Sequence, residues 1–255
     1  RENDAALSAI NRLQGEGRRH IHAVRIALSA NLQSGRWDEA LKAVRLLEKR
    51  NALHPVLSHR LKFTIYRELF KAQSNDAAAL EAMWRSVPEA ERQSPEIALE
   101  AARLFNESDA ELGRLAAEAI EAALQQSPAA WDDSSLRLLD EYARAQMLSP
   151  RDQLERVEAW LKAAPPTGPI RAGLLRAAGL ICLRQQLWGK SKAYLLESLT
   201  ADRDASTLLA LARLADAIGD EREAAAYFKE AAAAFATAAA SIPDSPTAVR
   251  RTAQL

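Results

Sequence analysis

From residue 2 to residue 241 the sequence is a succession of helical apolar periods, each a dozen or so residues long and each closed by a short breaker. The periods predict helices at 2–13, 18–33, 36–50, 55–73, 75–86, 94–106, 109–126, 131–145, 150–163, 169–185, 188–200, 204–218 and 220–241. The punctuation has a chemical basis. Ser94-Pro95, Ser149-Pro150 and Gly168-Pro169 put proline in or just before a first turn, where its missing N–H costs nothing. Asn75-Asp76, Asp109 and Asp132-Asp133 offer side chains to exposed first-turn amides. Gly35, Gly189 and Gly219 read as tight breaks. Connections of about two to seven residues make consecutive helices antiparallel neighbours. Composition agrees: about a fifth of the chain is Ala, aromatics are 5%, β-branched residues are sparse, and a sheet has little to use. The expected class is all-α, and residues 243–255 read as a flexible tail.

The helices recur in pairs. The small residues expected where a second helix crosses its partner are Ala40, Ala116, Ser191 and Ala224, separated by 76, 75 and 33 residues. The last interval is one repeat and the others about two, close to the 34 of tetratricopeptide (TPR) units. Gly35-Arg36-Trp37-Asp38-Glu39-Ala40 with Val44 and Leu47 has the turn, small residue and spaced apolars of such a second helix. Gly219-Asp220-Glu221-Arg222-Glu223-Ala224 with Phe228 and Ala231 repeats it. Leu208, Leu211 and Ala212 hold the first-helix positions of the last unit, and Leu175, Ala178 and Gly179 those of the unit before. Ala116, Ile120, Ala123 and Pro128 fit a middle unit. Helices about 9 Å apart need a small side chain at the crossing and large ones beside it. The expectation is a TPR-like right-handed superhelix over residues 1–242, about six helix pairs plus an N-terminal helix.

Charge and cysteine content narrow the function. Lys+Arg and Asp+Glu are both 34, so the chain is not a globally polybasic nucleic-acid binder. Residues 17–71 nonetheless carry twelve Lys/Arg against four acids, a net +8, and the remainder sums to −8. That basic segment reads as solvated surface or as a neighbour of anionic phospholipid; nucleic acid comes last, because no aromatics interleave with the charges. The single Cys182 excludes an internal disulfide and a Cys-rich zinc module. No run approaches the roughly 20 apolar residues of a membrane span, and with no starting Met the chain reads as a soluble piece of something longer. No His-Glu-x-x-His, nucleophile elbow or phosphate loop is present, and Gly15-Glu16-Gly17 lacks the strand and third glycine of a dinucleotide fingerprint. The expectation is therefore no enzyme.

The most distinctive stretch is Leu183-Arg184-Gln185-Gln186-Leu187-Trp188-Gly189-Lys190, followed by Ala193-Tyr194-Leu195 and Leu199. It resembles the late helix pair of the HemY family, proteobacterial inner-membrane TPR proteins linked to late protohaem biosynthesis. Glu158-Ala159-Trp160-Leu161-Lys162-Ala163 with Pro165, and Leu80-Glu81-Ala82-Met83-Trp84-Arg85 ahead of Pro95-Glu96, are similar too. The resemblance implies a scaffold that binds a haem-pathway protein at the cytoplasmic side of the inner membrane, anchored by N-terminal membrane helices this chain lacks. It supplies no catalytic residues.

Two candidate sites follow. Arg184, Gln185, Gln186, Trp188 and Lys190 form a polar group around a tryptophan, read either as a recognition groove or as the capped end of the 169–185 helix. Trp188 and Trp37 take equivalent places after an interhelix turn, read as wedges between repeats. Haem or porphyrin binding, the alternative function, would draw axial ligands from His20, His22, His54, His59 and Cys182. His20 and His22 face different directions on a helix, and Cys182 falls on an apolar stripe and reads as a buried structural thiol. His54 and His59 flank Pro55 at a helix start and remain as a pair, with Arg60 placed for a propionate; their plain reading is a solvated cap. No cofactor or metal is otherwise expected. The 220–241 helix reads as a solvated C-terminal cap.

Overall fold

A computed structural model describes residues 21–108, 112–125, 127–146 and 149–240, with the side chains of 238–240 left aside. The expected helix at 2–13, Gly15 to Gly17, His20, the Asp109 cap and the 243–255 tail lie outside the described residues. Thirteen α-helices and no strand occur among the described residues, so the chain is all-α. None of these helices is long and apolar enough to cross a membrane. The chain divides into two compact units, Arg1–Gln125 with Ala145–Leu148 and Gln126–Arg144 with Ser149–Leu255.

The first unit holds α1 (Ile21–Gln33), α2 (Trp37–Lys49), α3 (Pro55–Ala72), α4 (Ala77–Ser86), α5 (Glu89–Arg92), α6 (Pro95–Ser108) and α7 (Gly113–Ala123). The short α5 has no counterpart in the sequence reading, and α7 stops at Ala123 rather than 126. Its core is an aromatic chain from α3 through α4 to α6. Tyr66 stacks on Phe70 at 5.9 Å, Phe70 meets Trp84 at 6.2 Å, and Trp84 meets Phe105 edge-on at 6.1 Å. All four are buried.

The same unit answers part of its own basic segment. Arg45 on α2 donates to Tyr66 Oη at 2.7 Å and to Glu91 at 3.1 Å. Lys62 lies 2.7 Å from Glu48 and 3.4 Å from Glu91, and Tyr66 Oη donates to Glu91 as well. Burial alone would push the Glu91 carboxyl up, but hydrogen bonds from Tyr66 and Arg45, with the charges of Arg45 and Lys62, hold it below the usual carboxylate range. Glu91 sits in α5, the helix the apolar pattern does not predict: it is there to carry a counter-charge rather than to bury an apolar face.

The second unit holds a 3-10 turn (Pro128–Ala130), α8 (Asp133–Arg144), α9 (Pro150–Ala163), α10 (Pro169–Arg184), α11 (Trp188–Ala201), α12 (Ala205–Ile218) and α13 (Glu221–Ala240). The caps expected at Asp76 and Asp132 are formed: Asp76 accepts from the Ala79 amide and Asp132 from those of Ser134 and Ser135. Ser149, accepting from Asp152, and Asp204, accepting from Ser206 and Thr207, are caps the sequence reading did not name. α10 packs on α8, α9, α11 and α12, which explains its composition. A helix covered on most sides must be small and apolar nearly all round.

Three interhelix turns share one geometry. At the ends of α1, α10 and α12 a residue in the left-handed region follows the helix: Gly35 (φ 65°), Gln186 (φ 58°) and Gly219 (φ 87°). In each, the next amide donates five residues back, Arg36 to Asn31, Leu187 to Cys182 and Asp220 to Ala215, all at 2.9 Å; Asn51 (φ 51°) closes α2 with the same bond, Ala52 to Leu47, but no buried small residue follows it in register. In the three shared turns the small crossing residue comes five positions later, as Ala40, Ser191 and Ala224, all buried. Gly189 is therefore not in the break. It lies in the first turn of α11, and glutamine occupies the position that glycine fills elsewhere.

Four residues further along, the register separates the last hairpin from the others. Val44 and Leu195 are fully buried, whereas Phe228 is 44% exposed. Leu195 is covered by Ala210, Leu211 and Leu214 of α12, the helix of the following hairpin. Phe235 of α13 and Ile218 at the end of α12 are exposed too, so this last hairpin presents apolar side chains as well as charge to solvent.

Candidate functional site: a groove between helices of the second unit

α10 approaches its neighbours closely at two glycines. A β-carbon on Gly173 would lie 2.6 Å from Leu136 of α8, and one on Gly179 would lie 2.6 Å from Leu195 of α11. The second contact is sealed by Ser191 Oγ, which donates to the Gly179 carbonyl at 2.9 Å. α8, α10 and α12 consequently pack side by side. Arg176, only 6% exposed, ties the three together. Its guanidinium donates to Asp140 of α8 at 2.8 and 3.0 Å, and to Asp204, the cap of α12, at 2.8 Å. A buried guanidinium held between two carboxylates is satisfied, and its planar fork fixes how three helices meet.

Above Arg176 the three helices leave an open groove of about 350 Å³. Its middle is apolar, formed by Leu180, Leu209 and Ala210. Arg144 closes it from α8, Arg184 from α10 and Arg213 from α12. A second groove of about 520 Å³ shares Asp140, Arg176 and Ser206 with it and runs toward Arg137, Asp133 and Pro169. The lining follows helix spacing: Arg176, Leu180 and Arg184 recur every four residues on α10, and Ser206, Leu209 and Arg213 line one stripe of α12.

The distinctive 183–190 stretch is divided between this groove and the packing behind it. Arg184 donates to the Ala143 carbonyl and to Gln153 Oε1, both at 2.6 Å, and it lines the groove. Gln185 is half-buried, its amide nitrogen without a partner among the described residues. Gln186 makes the left-handed turn. Trp188 packs on the Leu195–Leu211 cluster and so bridges α11 and α12, the wedge the sequence suggests. Lys190 lies 3.4 Å from Glu158 and over the Tyr194 ring at 5.9 Å, while Tyr194 Oη donates to Glu158 at 2.6 Å. The Tyr194 hydrogen bond, opposed by burial and helped by Lys190, holds the Glu158 carboxyl below its ordinary range. Lys190 thus fastens α11 to α9, away from the groove.

The histidines are engaged separately. His54 caps α3, its Nδ1 accepting from the Val56 amide at 3.3 Å. His59 Nε2 lies 3.1 Å from Glu96 of α6, which also accepts from Ser94. Arg60 and His22 are exposed, and Cys182 is fully buried, its thiol pushed up chiefly by burial. Among the described residues no three His, Cys, Asp or Glu side chains gather as a metal site would require.

Sequence reasoning missed Arg144, Arg213, Leu180 and Leu209. The available signal was the four-residue recurrence of Arg and Leu on α10 and α12, the helices the sequence reads as first helices; Arg144 on α8 carried none. No protein-family model matches the chain, and no curated protein matches it.

Proposed function

We propose that the chain is a non-enzymatic, TPR-like right-handed helical-hairpin scaffold that holds a protein partner in the groove between helices of its second unit. The observation that carries this is the groove itself, an apolar floor flanked by arginines from three neighbouring helices, α8, α10 and α12. It is half open to solvent, whereas sites for small molecules enclose most of their ligand. The shared turn geometry at Gly35, Gln186 and Gly219 supports hairpins of one type, and stacked hairpins of that type offer extended partner surfaces. The resemblance to the HemY family adds the setting: a partner in late haem biosynthesis, at the cytoplasmic face of the inner membrane.

Affinity capture from membranes tests it, comparing the unaltered chain with Leu180→Asp and Leu209→Asp. The reading predicts a haem-pathway protein retained by the first and lost from both variants, with the melting curve kept in Leu209→Asp and lowered in Leu180→Asp, whose side chain packs against the Leu195–Leu211 cluster. A partner captured equally by all three would place recognition elsewhere.

A further inference from the structure

We infer that the groove takes an acidic, extended peptide segment carrying a leucine-sized apolar side chain between its carboxylates. This rests on the scaffold reading and names the chemistry of its partner. Four arginines and one aspartate line the groove, but they are not equivalent. Arg176 is more than neutralised by Asp140 and Asp204, which leave one carboxylate charge over. Arg184 is fixed by two neutral acceptors, a backbone carbonyl and a glutamine amide oxygen, so its hydrogen bonds are met while its charge is not. Arg213 forms no ion pair among the described residues. Arg144 has Glu141 at a loose 3.7 Å and is itself 68% exposed. Three guanidiniums on three helices therefore surround one apolar strip, against one surplus carboxylate at Arg176 and the loosely held Glu141, a net positive charge.

An anionic occupant supplies what the groove lacks, and the positions of the arginines say what kind. Neighbouring helix axes lie about 9 Å apart, so a ligand reaching from Arg144 on α8 to Arg213 on α12 spans roughly 18 Å. That is about six residues of extended chain at 3.3 Å each. A single inorganic anion cannot engage both ends. The floor of Leu180, Leu209 and Ala210 calls for an apolar side chain between the carboxylates. Single-stranded nucleic acid, the other polyanion of this length, binds through aromatic stacking as well as charge, and the groove lining contains no aromatic residue.

Selection of a random twelve-residue peptide display library on the whole chain tests this. The expected binders are enriched in Asp and Glu around Leu, Ile or Met. Their affinity falls about tenfold on Arg144→Ala with Arg213→Ala, and at least as much between 50 and 300 mM salt, while melting is unaltered. Binders without acidic enrichment, acidic binders indifferent to the double substitution, or a twelve-nucleotide single strand that binds more tightly at equal salt would each overturn the inference. Those results leave the scaffold reading standing as long as membrane capture still depends on Leu209.

Discussion

Ser191 Oγ donates to the Gly179 carbonyl at 2.9 Å across the crossing of α10 and α11. Both residues are small for one reason: the helices meet there, and Leu195 fills the space a larger side chain at 179 would need. Gly179→Ala should destabilise the fold by about 1–3 kcal/mol in urea unfolding. Gly189→Ala, whose β-carbon meets nothing within 4 Å, should be neutral or slightly stabilising. Equal effects would mean that the crossing is elsewhere.

The residue four positions after the crossing tests the repeat register. Leu195→Ala should cost about 2–5 kcal/mol, because α12 covers it completely. Phe228→Ala, at the same register but half exposed, should cost less than about 1 kcal/mol despite the larger side chain. Thermal melts of the two variants give the comparison directly, and a Phe228 loss matching that of Leu195 would contradict the assignment.

Gln186 carries a left-handed conformation that disfavours residues with a β-carbon by roughly 1–2 kcal/mol. Gln186→Gly should recover part of this, about 1 kcal/mol after glycine's own entropic cost. Destabilisation instead would show that the glutamine side chain makes a contact worth more than the strain.

Much of this was legible in the sequence. Proline or a capping side chain marks the starts of α8, α9 and α10, and Ser191 and Ala224 fall 33 residues apart at equivalent crossings. The turn at 186 was not, because glycine and asparagine advertise a positive φ, as at Gly35 and Asn51, whereas glutamine does not, and Gly189 nearby drew the reading away. The Arg184–Lys190 stretch looked like one site, yet helix geometry sends Arg184 toward α8 and α9 and Lys190 toward Glu158. The groove was not legible either. Its arginines are unremarkable one helix at a time, and only the side-by-side packing set up by Gly173 and Arg176 gathers them.

The acid limb of stability should report on Glu91. Its carboxyl is held below the ordinary value of 4.5, so the folded state binds fewer protons than the unfolded one in that range. The contribution is complete above the ordinary carboxylate range and disappears as pH falls through the lowered value. Glu91→Gln should therefore flatten the loss of stability between about pH 5 and pH 3 seen in denaturant titrations. An unchanged slope would mean that Tyr66, Arg45 and Lys62 do not favour the ionised form.

Whether the groove between α8, α10 and α12 is the recognition surface is decided most directly by photo-crosslinking in cells. A photoreactive amino acid replaces Leu209 in the groove, Leu196 on the exposed side of α11, or Leu187 beside the 183–190 turn, one at a time. The account predicts a discrete adduct from position 209, abolished by Arg144→Glu with Arg213→Glu, and none of that mass from 196 or 187. An adduct from position 187 with none from 209 would contradict it, and would return the partner site to the turn around Trp188.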